Sequence, residues 1–164
     1  MNALSLVSGL GLDHTIAWTP EGPRQVRDLI ADAQALARQL PPGGHLLNVC
    51  HDRYRFAVGF VAGLLTGKTS LQPSSQSDET LRRMMADYPD AVCLNDTPFD
   101  GLGMPCVAFP ELNDAVPQQV LEIPKFPADH VAAVLFTSGS TGLPQPHRKT
   151  WGKLVQNGRV EALR

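Results

Sequence analysis

The sequence predicts an α/β protein: a three-layer, doubly wound and mostly parallel sheet with flanking helices. Two observations carry that prediction. Helix-like and strand-like patterns alternate from residue 24 to residue 94, and parallel strands require crossover connections of this kind. Further on, a continuous apolar strand at Val131–Phe136 runs straight into a turn of glycine and hydroxyl residues. Composition agrees. The chain has 164 residues, 43% hydrophobic and 18% charged, which suits a domain with a buried core. Its 14 glycines and 14 prolines follow no Gly-X-Y period, so they mark turns between short elements.

The first helix is amphipathic. Val26, Leu29, Ile30, Ala33, Leu36, Ala37 and Leu40 recur at helical spacing between Arg and Asp residues, with a start near Pro23 and a stop at Pro41-Pro42-Gly43-Gly44. Leu46–Cys50 reads as a short buried strand. Asp52 can cap a second helix that runs through Leu65 and ends at Gly67. That helix is apolar almost all round, so it should be buried on several sides. Thr69–Leu71 is a brief strand broken by Pro73. Ser77, with Asp78 and Glu79 in the first turn, opens a third helix. It carries Leu81, Met84 and Met85 inward as core filler and ends by Pro89. Ala91–Leu94 is the next strand.

From residue 95 the pattern breaks down. Six prolines punctuate the stretch to residue 129, and only Cys106–Phe109 and Val120–Ile123 read as strands. The chain therefore divides into an alternating α/β region at 1–94, an irregular Pro-rich connection at 95–130, and a strand, turn and helix at 131–164. The last helix, Trp151–Leu163, is capped by Thr150.

Charge and spacing exclude several function classes. A net charge of -2 without a basic run argues against nucleic acid. The mildly apolar Met1–Leu12 has no Lys or Arg before Arg24, unlike a signal peptide, and the longest apolar run, Phe56–Leu65, is too short to span a bilayer. Cys50, Cys93 and Cys106 stand at unrelated spacings and read as reduced thiols filling strands, which points to the cytoplasm. His14, His45 and His130 are isolated, and no pair has metal-ligand spacing. His51 and Asp52, beside Arg53 and Arg55, read as a helix cap with solvated neighbours. His147 reads as a surface residue, and Trp18 and Trp151 as packing anchors.

One segment carries chemistry. After the strand at 131–136 come Thr137, Ser138, Gly139, Ser140, Thr141 and Gly142, then Leu143 and Pro144. Glycines let backbone N–H groups converge and the hydroxyls add donors at short reach, a cradle suited to polyphosphate oxygens. It is no Walker A loop, because Leu143 follows Gly142 and the next lysine after it is Lys149. It also lacks the Gly-x-Gly spacing of a dinucleotide fold.

The run from Phe136 to Pro144 resembles the phosphate-binding signature of the adenylate-forming superfamily, which includes acyl- and aryl-CoA synthetases, nonribosomal adenylation domains and luciferases. Ile16-Ala17-Trp18 and the helix ending at Leu40 resemble that family's opening strand and first helix, and Asn48–Leu71 resembles the segment that follows. More narrowly, Pro144, Pro146, His147, Lys149 and Trp151 resemble the variant found in ligases of aryl-polyene and xanthomonadin pigment pathways, which activate an aromatic or related acid.

The resemblance implies the N-terminal part of a large domain that uses ATP and Mg2+ to adenylate a carboxylic acid. A thiol, of CoA or of an acyl carrier protein, then accepts the acyl group. It assigns phosphate contacts to Thr137, Ser138, Gly139, Ser140, Thr141 and Gly142. It also exposes a departure: Gln145 stands where the family usually has lysine, and an amide brings no positive charge. Arg148 or Lys149 are the available substitutes, although four extended residues span up to about 13 Å. The family's adenine pocket, ribose-binding Asp and catalytic Lys lie downstream of the phosphate turn. The chain is thus expected to be an N-terminal piece that forms no acyl-adenylate alone. Two other classes stay open: a non-catalytic nucleotide- or anion-binding module, and a protein-interaction domain using the Pro-rich stretch or an exposed apolar face.

Overall fold

The structure, a computed structural model, describes residues 2–112, 120–138 and 142–163. In chain order the strands and helices are β1 (Ala3–Ser5), β2 (Thr15–Thr19), β3 (Gly22–Gln25), α1 (Val26–Ala37), β4 (His45–Asn48), α2 (Arg53–Leu65) and β5 (Thr69–Gln72). There follow α3 (Asp78–Asp87), β6 (Ala91–Asn95), β7 (Cys106–Ala108), β8 (Lys125–Pro127), β9 (Val131–Ser138), β10 (Pro144–Thr150) and α4 (Trp151–Ala162).

Six strands form the central sheet in the order β10-β9-β5-β4-β6-β7. All neighbours are parallel except β10 against β9. The sheet takes β4, β5 and β6 from the alternating region, β7 from the irregular stretch, and β9 and β10 from the last region. Helices α1 and α2 cover one face, with Leu36, Leu46, Val58 and Leu94 buried between them and the strands. Helix α3 covers the other, over Leu47, Leu71, Cys93 and Val134. Three layers follow because the strands are apolar on both faces, and each face must be covered.

Close packing of α2 depends on small residues. A Cβ added at Gly59 would meet Leu94 Cδ2 at 2.5 Å and Asn48 Nδ2 at 2.6 Å. Buried Asn48 repays that contact by donating from Nδ2 to the Phe56 carbonyl at 2.9 Å. Asp52 caps α2 by accepting the Arg55 N–H at 2.8 Å. Gly67, with φ +70°, lets the chain leave the helix for β5.

Several expectations are corrected. The segment from Gly22 to Gln25 pairs with β2 as a hairpin, so α1 begins at Val26 and not near Pro23. Gln25 donates its N–H to Asp28 Oδ2 at 2.7 Å, which fixes the start. The expected strand at Val120–Ile123 is absent, and pairing falls instead on β8 against β1. Burial decides between the two segments: Phe126 is packed in the core, whereas Val120 is 94% exposed. Trp151 is an anchor as expected, buried edge-on against Phe126 and donating from Nε1 to the Leu4 carbonyl at 3.0 Å. Trp18 is not; it is 81% exposed on the β2–β3 hairpin. Cys106 is also exposed, unlike Cys50 and Cys93.

Candidate functional site

The chains of β4, β5, β6 and β9 run the same way, so their carboxyl ends meet at one edge of the sheet. Ligands of open parallel sheets bind beyond that edge. The hydroxyl- and glycine-rich turn lies there, leaving β9.

Nothing in the sequence pattern marks residues 144–150 as a strand. They pair antiparallel with β9, placing Ser138 opposite Pro144, Thr137 opposite Gln145 and Phe136 opposite Pro146. A strand of sequence PQPHRKT is tolerated because β10 is the sheet edge, where missing N–H donors at Pro144 and Pro146 break no inner ladder. β9 and β10 thus pair as two antiparallel arms, with Ser138 ending one and Pro144 opening the other.

Residues opposite one another share a face. Phe136 packs against the α3 layer and sets an edge on Tyr88 at 5.9 Å, so Ser138 and Pro146 lie toward α3 as well. Thr137, Gln145, His147 and Lys149 take the opposite face. Thr137 Oγ1 and His147 Nε2 are 3.0 Å apart there. Gly142 has φ +76° with no heavy atom within 4 Å of a Cβ built on it, so its conformation serves the turn and leaves open space beside it. Gly139, Ser140 and Thr141 lie outside the described residues.

A cleft of about 530 Å³ separates the hairpin from α3. Pro73 and Ser74, which follow β5, form its floor with Phe136, while Ser138 and Gly142 reach it from the hairpin and Arg83 from α3. Arg83 is held by Glu79 one helical turn earlier, at 2.5 Å. Neither Arg83 nor Ser74 was singled out in the sequence, since only folding brings α3 beside the hairpin.

The donor set suits an oxyanion ligand such as a triphosphate: exposed Thr137 and Ser138 hydroxyls beside an open glycine. Positive charge is sparser. Gln145 is exposed opposite Thr137, and Lys149 lies four residues further along β10, opposite Ala133. That is about 14 Å from Gln145 along the strand. Among the described residues, no three His, Cys, Asp or Glu side chains converge as metal ligands.

Two strands away, the end of β4 is built differently. After β4, the Asp96 carboxylate accepts the N–H groups of His51 at 2.8 Å and Asp52 at 2.9 Å. Burial opposes its charge most strongly, but the two N–H donors together with the charges of Arg55 and His51 hold its pKa below the ordinary carboxylate value. The Cys50 thiol nearby is pushed up to about 12, chiefly by burial and then by Asp96, so it is no nucleophile.

No family model and no curated protein matches the chain. Solved structures do. o-Succinylbenzoate CoA synthetase (MenE) from Bacillus subtilis, in complex with the acyl-adenylate OSB-AMP, superposes with a TM-score of 0.66 at 19% identity, covering 88% of this chain and 40% of that one. The Klebsiella oxytoca NpsA N-terminal subdomain, in complex with 3-hydroxybenzoyl-AMSN, gives 0.63 at 20% identity, covering 84% and 37%. A malonyl-CoA ligase ternary product complex, with methylmalonyl-CoA and AMP bound, gives 0.68 at 21% identity, covering 96% and 33%. The fold is that of the N-terminal part of an adenylate-forming enzyme's large domain. The chain spans two fifths or less of each of these three structures. Among the described residues, no helix is long and apolar enough to cross a membrane.

Proposed function

We propose that the β9–β10 turn grips the triphosphate of ATP in a ligase that activates a carboxylic acid. The observation that carries this reading is the hairpin itself: Ser138 and Gly142 stand at the carboxyl edge of a parallel sheet beside an open cleft, with Thr137 next to them on the other face. Backbone N–H groups and the Thr137 and Ser138 hydroxyls hold phosphate oxygens, with Gly139, Ser140 and Thr141 completing the cradle. Mg2+ arrives on the phosphates. Gln145 supplies an amide donor in place of a cation, and Lys149 adds field at longer range.

The carboxylate attacks the α-phosphorus, releasing pyrophosphate and giving acyl-AMP, and a thiol of CoA or of an acyl carrier protein then displaces AMP. Protein catalysis in such a reaction is positioning and charge neutralisation. The acid proposed is aromatic, a hydroxybenzoate-like substrate of a pigment pathway. The neighbour carrying a 3-hydroxybenzoyl adenylate mimic supports an aromatic acid, and those titled with CoA products support a thiol acceptor. The chain by itself forms no acyl-adenylate, because it spans only 33–40% of the three structures compared.

The test is equilibrium binding of MgATP and of AMP to the chain. The reading expects MgATP to bind more tightly than AMP, and Ser138→Ala to weaken MgATP alone. Equal binding of the two nucleotides, or a Ser138→Ala variant with unaltered MgATP affinity, would overturn it. ATP–pyrophosphate exchange with aromatic acids checks the second claim: no turnover by this chain is expected, and clear turnover contradicts it.

A further inference from the structure

Two cysteines remote from the turn meet on adjacent strands. β6 and β7 are parallel, and Cys93 and Cys106 are register partners, so their side chains leave the same face. Adjacent strands lie about 4.8 Å apart, inside the Cα separation that a disulfide accepts. Burial, and after it the neighbouring Cys106 thiol, pushes the Cys93 thiol above its ordinary pKa. Cys93 is fully buried beneath α3, whereas Cys106 is exposed on the edge strand. The loop before β7 passes close to the outer sulfur, since a Cβ at Gly101 would collide with Cys106 Sγ.

We propose that Cys93 and Cys106 are a peroxide-sensitive thiol pair that closes into an intramolecular disulfide. Exposure makes Cys106 the first to react. Its thiol loses its proton, and the thiolate attacks the peroxide O–O bond, taking OH as sulfenic acid and releasing hydroxide, which that proton turns into water. The Cys93 sulfur then gives up its proton and displaces hydroxide from the Cys106 sulfur, forming the S–S bond and a second water. Two thiols lose two electrons, and hydrogen peroxide is reduced to two waters. Cys93 is protonated and buried, so the second step is the slow one. A three-residue edge strand can adjust as the bond forms. Closure ties β7 to β6 covalently and leaves the ATP turn at the other end of the sheet untouched.

The experiment treats the full chain with a small excess of hydrogen peroxide, quenches with a thiol-alkylating reagent, and measures intact mass and a peptide map. The expected product has lost two hydrogens, takes up alkyl label only at Cys50, and shows a cross-linked peptide joining residues 93 and 106. Dithiothreitol should restore three labelled thiols. Cys106→Ser should abolish the cross-link without disturbing the fold, because the residue is exposed, and Cys50→Ser should keep it. Cys106 oxidised to sulfinic acid with Cys93 still alkylatable would overturn the proposal, as would a Cys106–Cys106 dimer in place of the intramolecular bond.

Discussion

Two strands of the same sheet deliver the chain to the same edge and finish differently. β4 ends in a closed junction, where the His51 and Asp52 N–H groups are taken by the Asp96 carboxylate. β9 ends in a hairpin tip with exposed hydroxyls and a left-handed glycine beside a cleft. Both ends offer donors to negative charge. At the first, the protein supplies the anion from its own β6 strand end; at the second, Thr137 Oγ1 meets His147 Nε2 at 3.0 Å and the Ser138 hydroxyl is left for a ligand. A site at such an edge is recognised less by its donors than by what already occupies them.

Breaking the closed end gives the largest expected effect. Asp96→Ala should destabilise the chain by about 2 to 3 kcal/mol, because two N–H groups lose a charged acceptor. Urea unfolding measures it, and MgATP affinity should stay unchanged. The same carboxylate sets a pH dependence. Its pKa is lowered in the fold, so its contribution is full above the unfolded value of about 3.9 and is lost as pH falls through the folded one. Asp96→Asn should remove that acid-side loss.

At the open end, the double variant Thr137→Val with Ser138→Ala should weaken MgATP binding by about 2 kcal/mol, near thirtyfold, while unfolding stability holds within about 0.5 kcal/mol. Calorimetric titration reads the first and urea the second. Gly142→Ala meets no neighbour but must adopt φ +76°, which costs about 1 kcal/mol. Gln145→Lys, opposite Thr137 at the hairpin mouth, should tighten MgATP severalfold, by about 0.5 to 1 kcal/mol, and the gain should shrink as salt rises. Lys149→Ala should do least, under about twofold, since the residue sits opposite Ala133, far from the tip.

The sequence made the open end legible and hid the closed one. Thr137 to Gly142 form one local cluster after an apolar strand, and local clusters survive in a linear reading. Asp96 sits 44 residues from Asp52, and only the parallel pairing of β4 with β6 brings them together. The α/β alternation was readable because helical and strand periods differ, and Asp52, Ser77 and Thr150 do cap α2, α3 and α4. β10 escaped notice because an edge strand needs no apolar alternation, and two prolines argue against any strand. Trp18 misled for a related reason: aromaticity predicts burial, but a two-stranded hairpin leaves one face uncovered.

The most direct measurement of the central claim is a titration of isotopically labelled chain with MgATP and with inorganic tripolyphosphate, following backbone amide resonances. Saturable shifts should centre on residues 137–145 for both ligands, with little change at His51, Asp52 and Asp96. Shifts at the β4 junction instead, or a hairpin tip that ignores tripolyphosphate at concentrations saturating elsewhere, would contradict the account.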